Sequence, residues 1–360
     1  MIPLLLSPNL IERPYRGGSR LAAFRRVSIG DRDRVPEDWV GSTTSVFGRG
    51  GVGLSRLADG TSLRDAIRRD PDAYFGRGHT GVMGSDPGLL VKLIDAQQRL
   101  SVHLHPNRRF ARQHLGLTYG KTEAWYILEA PPGAAVHFGF RNPIGAEELL
   151  TIVEGGEGGL LLDRLNRLGV GPGDVVFVPA GTPHAIGEGV FLVEVQEPSD
   201  LLVRLEWSGY TVGAMPNDLG LGFPVALAAV DRSAWDDARL DTVVRHRAAD
   251  QRASGDDLLP PDAAPFFRLG HVRGDGMPLD AEFSILIVVD GAGELATADG
   301  DTYQLEKGDC WLVPWAAGQL SITGAVEVIR CRPAEPSTAA LADPDLSARL
   351  APATTGGKAG

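Results

Sequence analysis

Cysteine is scarce in this chain. Cys310 and Cys331 are its two cysteines in 360 residues; that is too few for a disulfide framework and favours a reducing, cytoplasmic setting. Long apolar runs are missing too. No stretch reaches the length of about 18 residues that spans a bilayer, so no membrane span is expected. The opening MIPLLLSPNLIERPYR is briefly apolar but has neither a basic flank nor a small-residue cleavage site, so it does not read as a secretory leader. Positive charge is not in excess. A net charge of −11 argues against a general nucleic-acid binder, which would show a basic face. Lysine is the rarest cation: of 35 basic residues, Lys92, Lys121, Lys307 and Lys358 are the four lysines. A chain that writes its cations as arginine, yet keeps two lysines near one histidine pair, points to a need for a compact ammonium there.

Glycine and proline, at 46 and 25 residues with 22% charged residues, describe a turn-rich fold of many short strands. The length suits two domains. The stretch Leu89–Leu128 carries the strongest signal. It places His103 and His105 two apart, then Lys121 and Glu123 two apart. Residues two apart on a strand share a face, so both pairs can aim into one cavity. Two imidazoles and a carboxylate are suitable ligands for a divalent metal of the zinc, iron or manganese type. Further on, Gly173, Pro179, Gly181 and His184 follow the spacing G-x5-P-x-G-x2-H. That is a turn, a strand and a tight turn delivering one more histidine. In FLVEVQE, Leu192, Glu194 and Gln196 share a face.

Elsewhere, LAAFR, SVFGR and VGLSRL are expected as outer strands. SLRDAIRRDPDAYFG reads as a short helix with Ser62 as cap, ended near Pro71. NRRFARQHLG reads as helical up to Gly116. GAEELLTIVEGGEGGLLLDRLNRL supplies a helical excursion. His137 is assigned to a barrel face or the surface, and His79, His114, His246 and His271 to loops or surface. Near the end YQLEKGDCWLVPWAAGQLSITG repeats the G-x5-P step at Gly308 and Pro314, with Gln319 where His184 stands in the first copy. The echo points to two similar β-barrels, the second without its metal site.

The combination of His103-x-His105 with the glycine–proline–histidine run resembles the cupin superfamily of small metal-binding barrels. LLVKLIDA, LSVHLHP, YGKTEAWYIL, PAGTPHAIG and VEVQEPSD, followed by Arg204, resemble the type I phosphomannose isomerases more specifically. The resemblance implies a mostly β fold of two cupin-like barrels (jelly rolls) with short helical excursions and a helical connector. The expected division is 1–88 for N-terminal strands and a small helix on the first barrel, and 89–215 for the catalytic barrel. A helical connector and linker follow at 216–262, a degenerate second barrel at 263–335 and a tail at 336–360. His105, Glu123 and His184 match the family's zinc ligands. The family usually carries glutamine at His103, so the implied set is His103, His105, Glu123 and His184 around one Zn2+, with other divalent metals compatible with the added imidazole. Ser101, Lys92, Lys121, Glu194 and Arg204 fall where the family binds the sugar phosphate and the reacting carbons. Two departures are visible. ERPYRGGSR replaces the family's Trp-Gly, and Tyr210 stands where some members have a phosphate-binding lysine.

The expected reaction is an aldose–ketose isomerisation, mannose 6-phosphate to fructose 6-phosphate, through a metal-stabilised enediolate. Glu194, Lys121 and Arg204 are the catalytic candidates; Ser101 and Lys92 are the substrate-binding ones. Glu194 alternatively orients a metal ligand, and Arg204 alternatively is a surface cation. Competing expectations are isomerisation of a different, unphosphorylated sugar and a sugar-binding barrel without turnover. The partner expected is a small sugar phosphate, with no nucleic acid and no membrane, and the chain as monomer or small homo-oligomer.

Overall fold

Short apolar runs punctuated by glycine and proline fold here as antiparallel ladders. The computed structural model describes residues 1–210, 216–246, 254–255 and 257–343; the expected tail beyond 343 lies outside the described residues. Three sheets form among them. A seven-stranded sheet runs in the order Val244–Arg245, Val175–Val178, Glu123–Glu129, Val190–Gln196, Leu90–Ala96, Glu37–Val40 and Leu10–Ile11. A five-stranded sheet runs Val203–Arg204, His103–Leu104, His184–Ile186, Ala135–Phe140 and Leu165–Gly169. The third is built on the long strands Phe267–Leu279, Ser284–Thr297 and Leu320–Pro333 with Cys310–Val313 and Leu4–Leu5. The mostly β, two-unit architecture expected from the sequence is therefore present.

Two rows of side chains set up the site. Across the first sheet, Trp39, Lys92, Glu194, Trp125 and Val176 are successive ladder partners. Across the second, Arg204, His103, His184 and Phe138 are successive partners. Each polar residue of these rows sits in a strand whose neighbours are apolar and buried, such as Val91, Leu93, Val193 and Val195. The strands are thus fixed by burial, and the polar groups travel with them into the interior.

The internal echo is visible in the backbone. Gly173 and Gly308 both take positive φ, at 88° and 93°, and each opens a buried strand that ends at the proline. A Cβ on Gly308 would lie 1.8 Å from the carbonyl oxygen of Phe24, so the close approach requires glycine there. After Pro179 the chain delivers His184 into a strand. After Pro314 it makes a single 3-10 turn, Trp315–Ala317. The third sheet has two faces of different use. Ile285, Ile287, Ile329 and Cys331 pack into the core shared with Val91, Leu93 and Phe191. Leu286, Val288, Val326 and Val328 form a separate core.

The N-terminal segment differs from expectation. LAAFR is not a strand but most of the helix Ser19–Phe24, and SVFGR and VGLSRL are loop apart from an isolated bridge at Arg56. The helix has no side-chain cap of its own. Asp95, fully buried in the strand Leu90–Ala96, accepts instead from the backbone N–H groups of Gly18 and Arg20 at 2.9 Å each and of Leu21 at 3.4 Å. A cap supplied from about seventy-five positions away leaves no local signal. The first helix, Leu63–Arg69, begins after Ser62 and ends just before Pro71, as expected; Pro71 then opens a second helix, Pro71–Met83, capped by Asp70, where its missing N–H costs nothing at a first turn. Arg108–Leu115 ends at Gly116 with φ 66°, as expected. Between 216 and 262 the described helices are short, Phe223–Ala226 and Asp237–Leu240 among them, and Val244–Arg245 joins the first sheet. His79 and His271 are buried rather than on the surface, His79 against Phe75 and His271 in a long strand.

Replacing Asp95 by alanine strands several buried donors at once, so unfolding in urea should shift to lower denaturant by about 2–4 kcal/mol. An unchanged midpoint would show that the distant cap contributes nothing.

Candidate metal centre

Three imidazoles meet between the first two sheets. His103 and His184 are ladder partners with ring centroids 4.3 Å apart, and His105 lies 5.0 Å from each. Their ligand atoms all fall within 4.8 Å of one another. Each ring is aimed from behind by a backbone carbonyl at Nδ1: Ser101 for His103 and Leu201 for His105, both at 2.7 Å, and Thr182 for His184 at 2.8 Å. A carbonyl only accepts, so Nδ1 carries the proton and the lone pair is left on Nε2. Burial, then the neighbouring rings, hold His103 well below the ordinary imidazole range; burial and the Lys121 charge bring His105 to about 3. Burial lowers His184 as well, so all three rings favour the neutral form, with lone pairs open to a cation.

Glu123 supplies the negative charge. Its Oε2 is 3.1 Å from His105 Nε2 and its Oε1 3.4 Å from His184 Nε2, while Trp125 Nε1 donates to Oε1 at 3.0 Å. Burial raises its carboxyl, but the Lys121 ammonium outweighs that and holds it well below the usual range. Buried, converging Nε2 lone pairs with anchored Nδ1 atoms and one ionised carboxylate fit a tetrahedral divalent cation. His184 Nε2 has no hydrogen-bond partner among the described residues, as expected of an atom kept for a metal.

The remaining sequence candidates surround this cluster. Lys121 Nζ is 2.9 Å from Glu123 Oε2 and 3.0 Å from His105 Nε2. Glu194 Oε1 lies 3.2 Å from Lys92 Nζ and 3.7 Å from Lys121 Nζ, yet makes no aligned hydrogen bond. Burial and then the Glu123 charge raise the Glu194 carboxyl, against the two lysines. Ser101, Lys92, Lys121, Glu194 and Arg204 line one cavity with His103. Arg204 has no carboxylate partner among the described residues; Asn217 Oδ1 accepts from it at 3.1 Å, and burial followed by Arg13 lowers its guanidinium. Tyr210, also at the cavity, donates its hydroxyl to the carbonyl of Arg99 at 2.7 Å.

Sequence reasoning missed a second tier. Arg13, Tyr15, Glu37, Asp200 and Asn217 also line the cavity. Glu37 accepts from Arg13 at 2.7 Å, Tyr15 at 2.8 Å and Trp39 at 2.8 Å, and Asp200 takes Arg13 through both oxygens at 2.6 and 3.2 Å. Asp200 closes the quoted run VEVQEPSD and so was within reach. Glu37 and Arg13 stand in no motif; the one hint was the unusual ERPYRGG.

Two outcomes follow. Glu123→Gln or His184→Ala should reduce metal from about one ion per chain to near none by mass spectrometry of the purified protein, whereas His103→Gln, which keeps a neutral donor, should retain most of it. Retained metal in His184→Ala would remove that residue from the set. For Glu37, burial raises the carboxyl but Arg13 and Lys92 prevail and hold it at about 2 against an ordinary 4.5. A depressed carboxyl contributes stability that is complete above the unfolded value and lost as pH falls through the folded one. The stability gap between the wild type and Glu37→Gln should therefore narrow between pH 4.5 and 2 in denaturant titrations; a constant gap would contradict the ion-pair account.

Comparison with known proteins agrees with this geometry. The profile described as mannose-6-phosphate isomerase, cupin domain, matches residues 274–333. Mannose-6-phosphate isomerase ManA of Bacillus subtilis is 32% identical over 247 residues, covering 67% of this chain and 73% of that protein. Among solved structures, the mannose 6-phosphate isomerase from Bacillus subtilis superposes with a TM-score of 0.69 at 24% identity, over 92% of this chain and 100% of that one. A mannose 6-phosphate isomerase bound with zinc and yttrium gives 0.71 at 16% identity, over 93% and 100%. By the extent of that first match, with the barrel and its histidine cluster already in place, the chain belongs to the mannose-6-phosphate isomerase family.

Proposed function

We propose that this chain interconverts mannose 6-phosphate and fructose 6-phosphate, with zinc held by His103, His105, Glu123 and His184. The observation that carries the reading is one cavity shared by the metal ligand His103, the proton-handling pair Glu194 and Lys121, and the carboxylate-free Arg204. Three imidazoles and a carboxylate suit zinc among the divalent ions. When bound, the ion supplies a Lewis acid beside the developing oxyanion.

The rest is work for side chains. The reaction moves a proton from C2 of the aldose to C1 and a second from O2 to O1, so one base must accept and return a proton on one face of the sugar. Glu194 is the carrier in this reading. Its Oε1 is buried without a hydrogen bond, and its raised carboxyl is better matched to exchanging a proton than the depressed Glu123. Lys121, whose ammonium is upheld by Glu123 and Glu194 against the cost of burial, donates to the substrate oxygens. Lys92, between Glu37, Glu194 and Asp200, keeps Glu194 in place. Arg204 receives the phosphate, because a partly buried guanidinium without a carboxylate is short of an anion, with Asn217 fixing its orientation and Ser101 nearby.

Glu194→Gln should lower kcat by about a thousandfold with KM nearly unchanged, since it removes proton transfer and leaves shape and binding. Arg204→Ala should instead raise KM for the phosphorylated sugar by about tenfold or more. A coupled isomerase assay on phosphorylated and free hexoses checks both, and turnover of free hexoses alone would overturn the substrate assignment.

A further inference from the structure

Lys121 stands just outside the ladder that holds its neighbour. Glu123 is the first residue of its strand and pairs with Gln196. One step further out, Thr122 and Glu197 would exchange two backbone hydrogen bonds in a regular antiparallel pair. Half of that pair forms, with the Glu197 N–H donating to the Thr122 carbonyl at 3.0 Å. The Glu197 carbonyl is engaged elsewhere, accepting from the Ser199 N–H at 2.7 Å and from Gln196 Nε2 at 3.0 Å. The side chain takes its place: Glu197 Oε2 accepts from the Thr122 N–H at 2.9 Å. The residue between Lys121 and Glu123 is thus held by a buried carboxylate.

That carboxylate is itself held. Its other oxygen accepts from Arg108 Nε, and the Arg108 guanidinium lies over the Phe266 ring, 4.8 Å from the centroid. Phe266 borders the strand Phe267–Leu279 of the third sheet. A second contact from the same unit lands on Tyr119, which packs with Ala334 and Ala339, just after the strand Leu320–Pro333 and in the helix Pro336–Ala342. Between these contacts, a Cβ on Gly120 would lie 2.6 Å from the Pro106 carbonyl oxygen and from the Arg108 nitrogen, so the chain runs tight against the residues that carry Arg108. Lys121 donates its own N–H to the Pro106 carbonyl at 2.9 Å. Among the described residues, none that lines the cavity comes from the third sheet. Its unit nevertheless reaches the segment 119–123 directly at Tyr119, and at Thr122 through Arg108 and Glu197.

We propose that Glu197 is a positioning residue for Lys121 and Glu123, and that the unit built on the third sheet braces it through Phe266 and Arg108. The inference rests on the isomerase reading for what Lys121 does. Its Nζ must keep its place 2.9 Å from Glu123 and 3.7 Å from Glu194 while the sugar binds. A misplacement of about 1 Å costs such a group about a hundredfold in rate. A flexible lysine stem keeps that place only if its backbone is held by its surroundings. The charge-assisted bond from Thr122 to Glu197 is stronger than the backbone bond it replaces.

Hydrogen–deuterium exchange read by mass spectrometry, together with steady-state kinetics, tests this on the full, metal-loaded chain. Arg108→Met and Phe266→Leu should each speed exchange in peptides covering 119–123 by about threefold or more, with the strand Leu90–Ala96 unchanged. Both should lower kcat by about threefold to tenfold with KM within about twofold, and Arg108→Lys, which keeps a cation beside Glu197, should recover most of kcat. Phe266→Leu added to Glu197→Gln should lower kcat no further than Glu197→Gln alone, because the two act through one chain of contacts. Unchanged exchange at 119–123, faster exchange with kcat unchanged, or effects of Phe266→Leu and Glu197→Gln that multiply overturn the proposal. Exchange that rises equally in Leu90–Ala96 assigns a merely structural role and overturns it too. A wild type that turns over neither sugar phosphate overturns the isomerase reading instead, and exchange at 119–123 then decides the brace by itself.

Discussion

Lys92 is the group on which the electrostatics of the interior turn. It is 1% exposed, and three carboxylates, Glu37, Glu194 and Asp200, lie within 3.9 Å of its ammonium, with the Trp39 ring 4.9 Å away. Leaving any one of these charges buried without its partner costs about 3–5 kcal/mol. The lysine therefore ties strand Glu37–Val40 to Val190–Gln196 through more than backbone hydrogen bonds. A guanidinium would not replace it: the site asks for a point charge reached from several sides rather than a planar fork.

Around this pivot Glu37, Glu123, Glu194 and Asp200 face Arg13, Lys92 and Lys121, all in or bordering one cavity. The same set gives the carboxyls opposite fates. Glu37 and Glu123 are driven down by close cations, whereas Glu194, next to the Glu123 charge, is driven up. Two buried carboxyls on neighbouring strands are thus pushed in opposite directions by the same set of charges.

What the sequence made legible was what local spacing encodes. His103 and His105 two apart, Lys121 and Glu123 two apart, and the turn that ends in His184 each depend on a few consecutive residues, so strand alternation alone predicts their convergence. The paired β units were legible for the same reason, through the G-x5-P echo. What escaped depends on long-range partners. The helix at Ser19–Phe24 is capped by Asp95, and Glu37 and Arg13 acquire meaning only once Lys92 and Asp200 are beside them.

The first strand of the chain, Leu4–Leu5, pairs with Cys310–Val313, and Arg25 reaches the carbonyls of Leu6 and Gly308 while holding Asp38 at 2.8 Å. The segment that carries Arg13 and Glu37 is thus moored, ahead of Arg13 and again at Arg25 in its middle, to residues made some three hundred positions later. During synthesis the histidine cluster can assemble once Leu201 and Arg204, which hold His105 and His103, have emerged, but the wall of the cavity facing it must wait for almost the whole polypeptide. Such late closure, with its high cost in sequence separation, makes maturation of the reaction chamber a terminal event in folding, slower than formation of the barrel it completes.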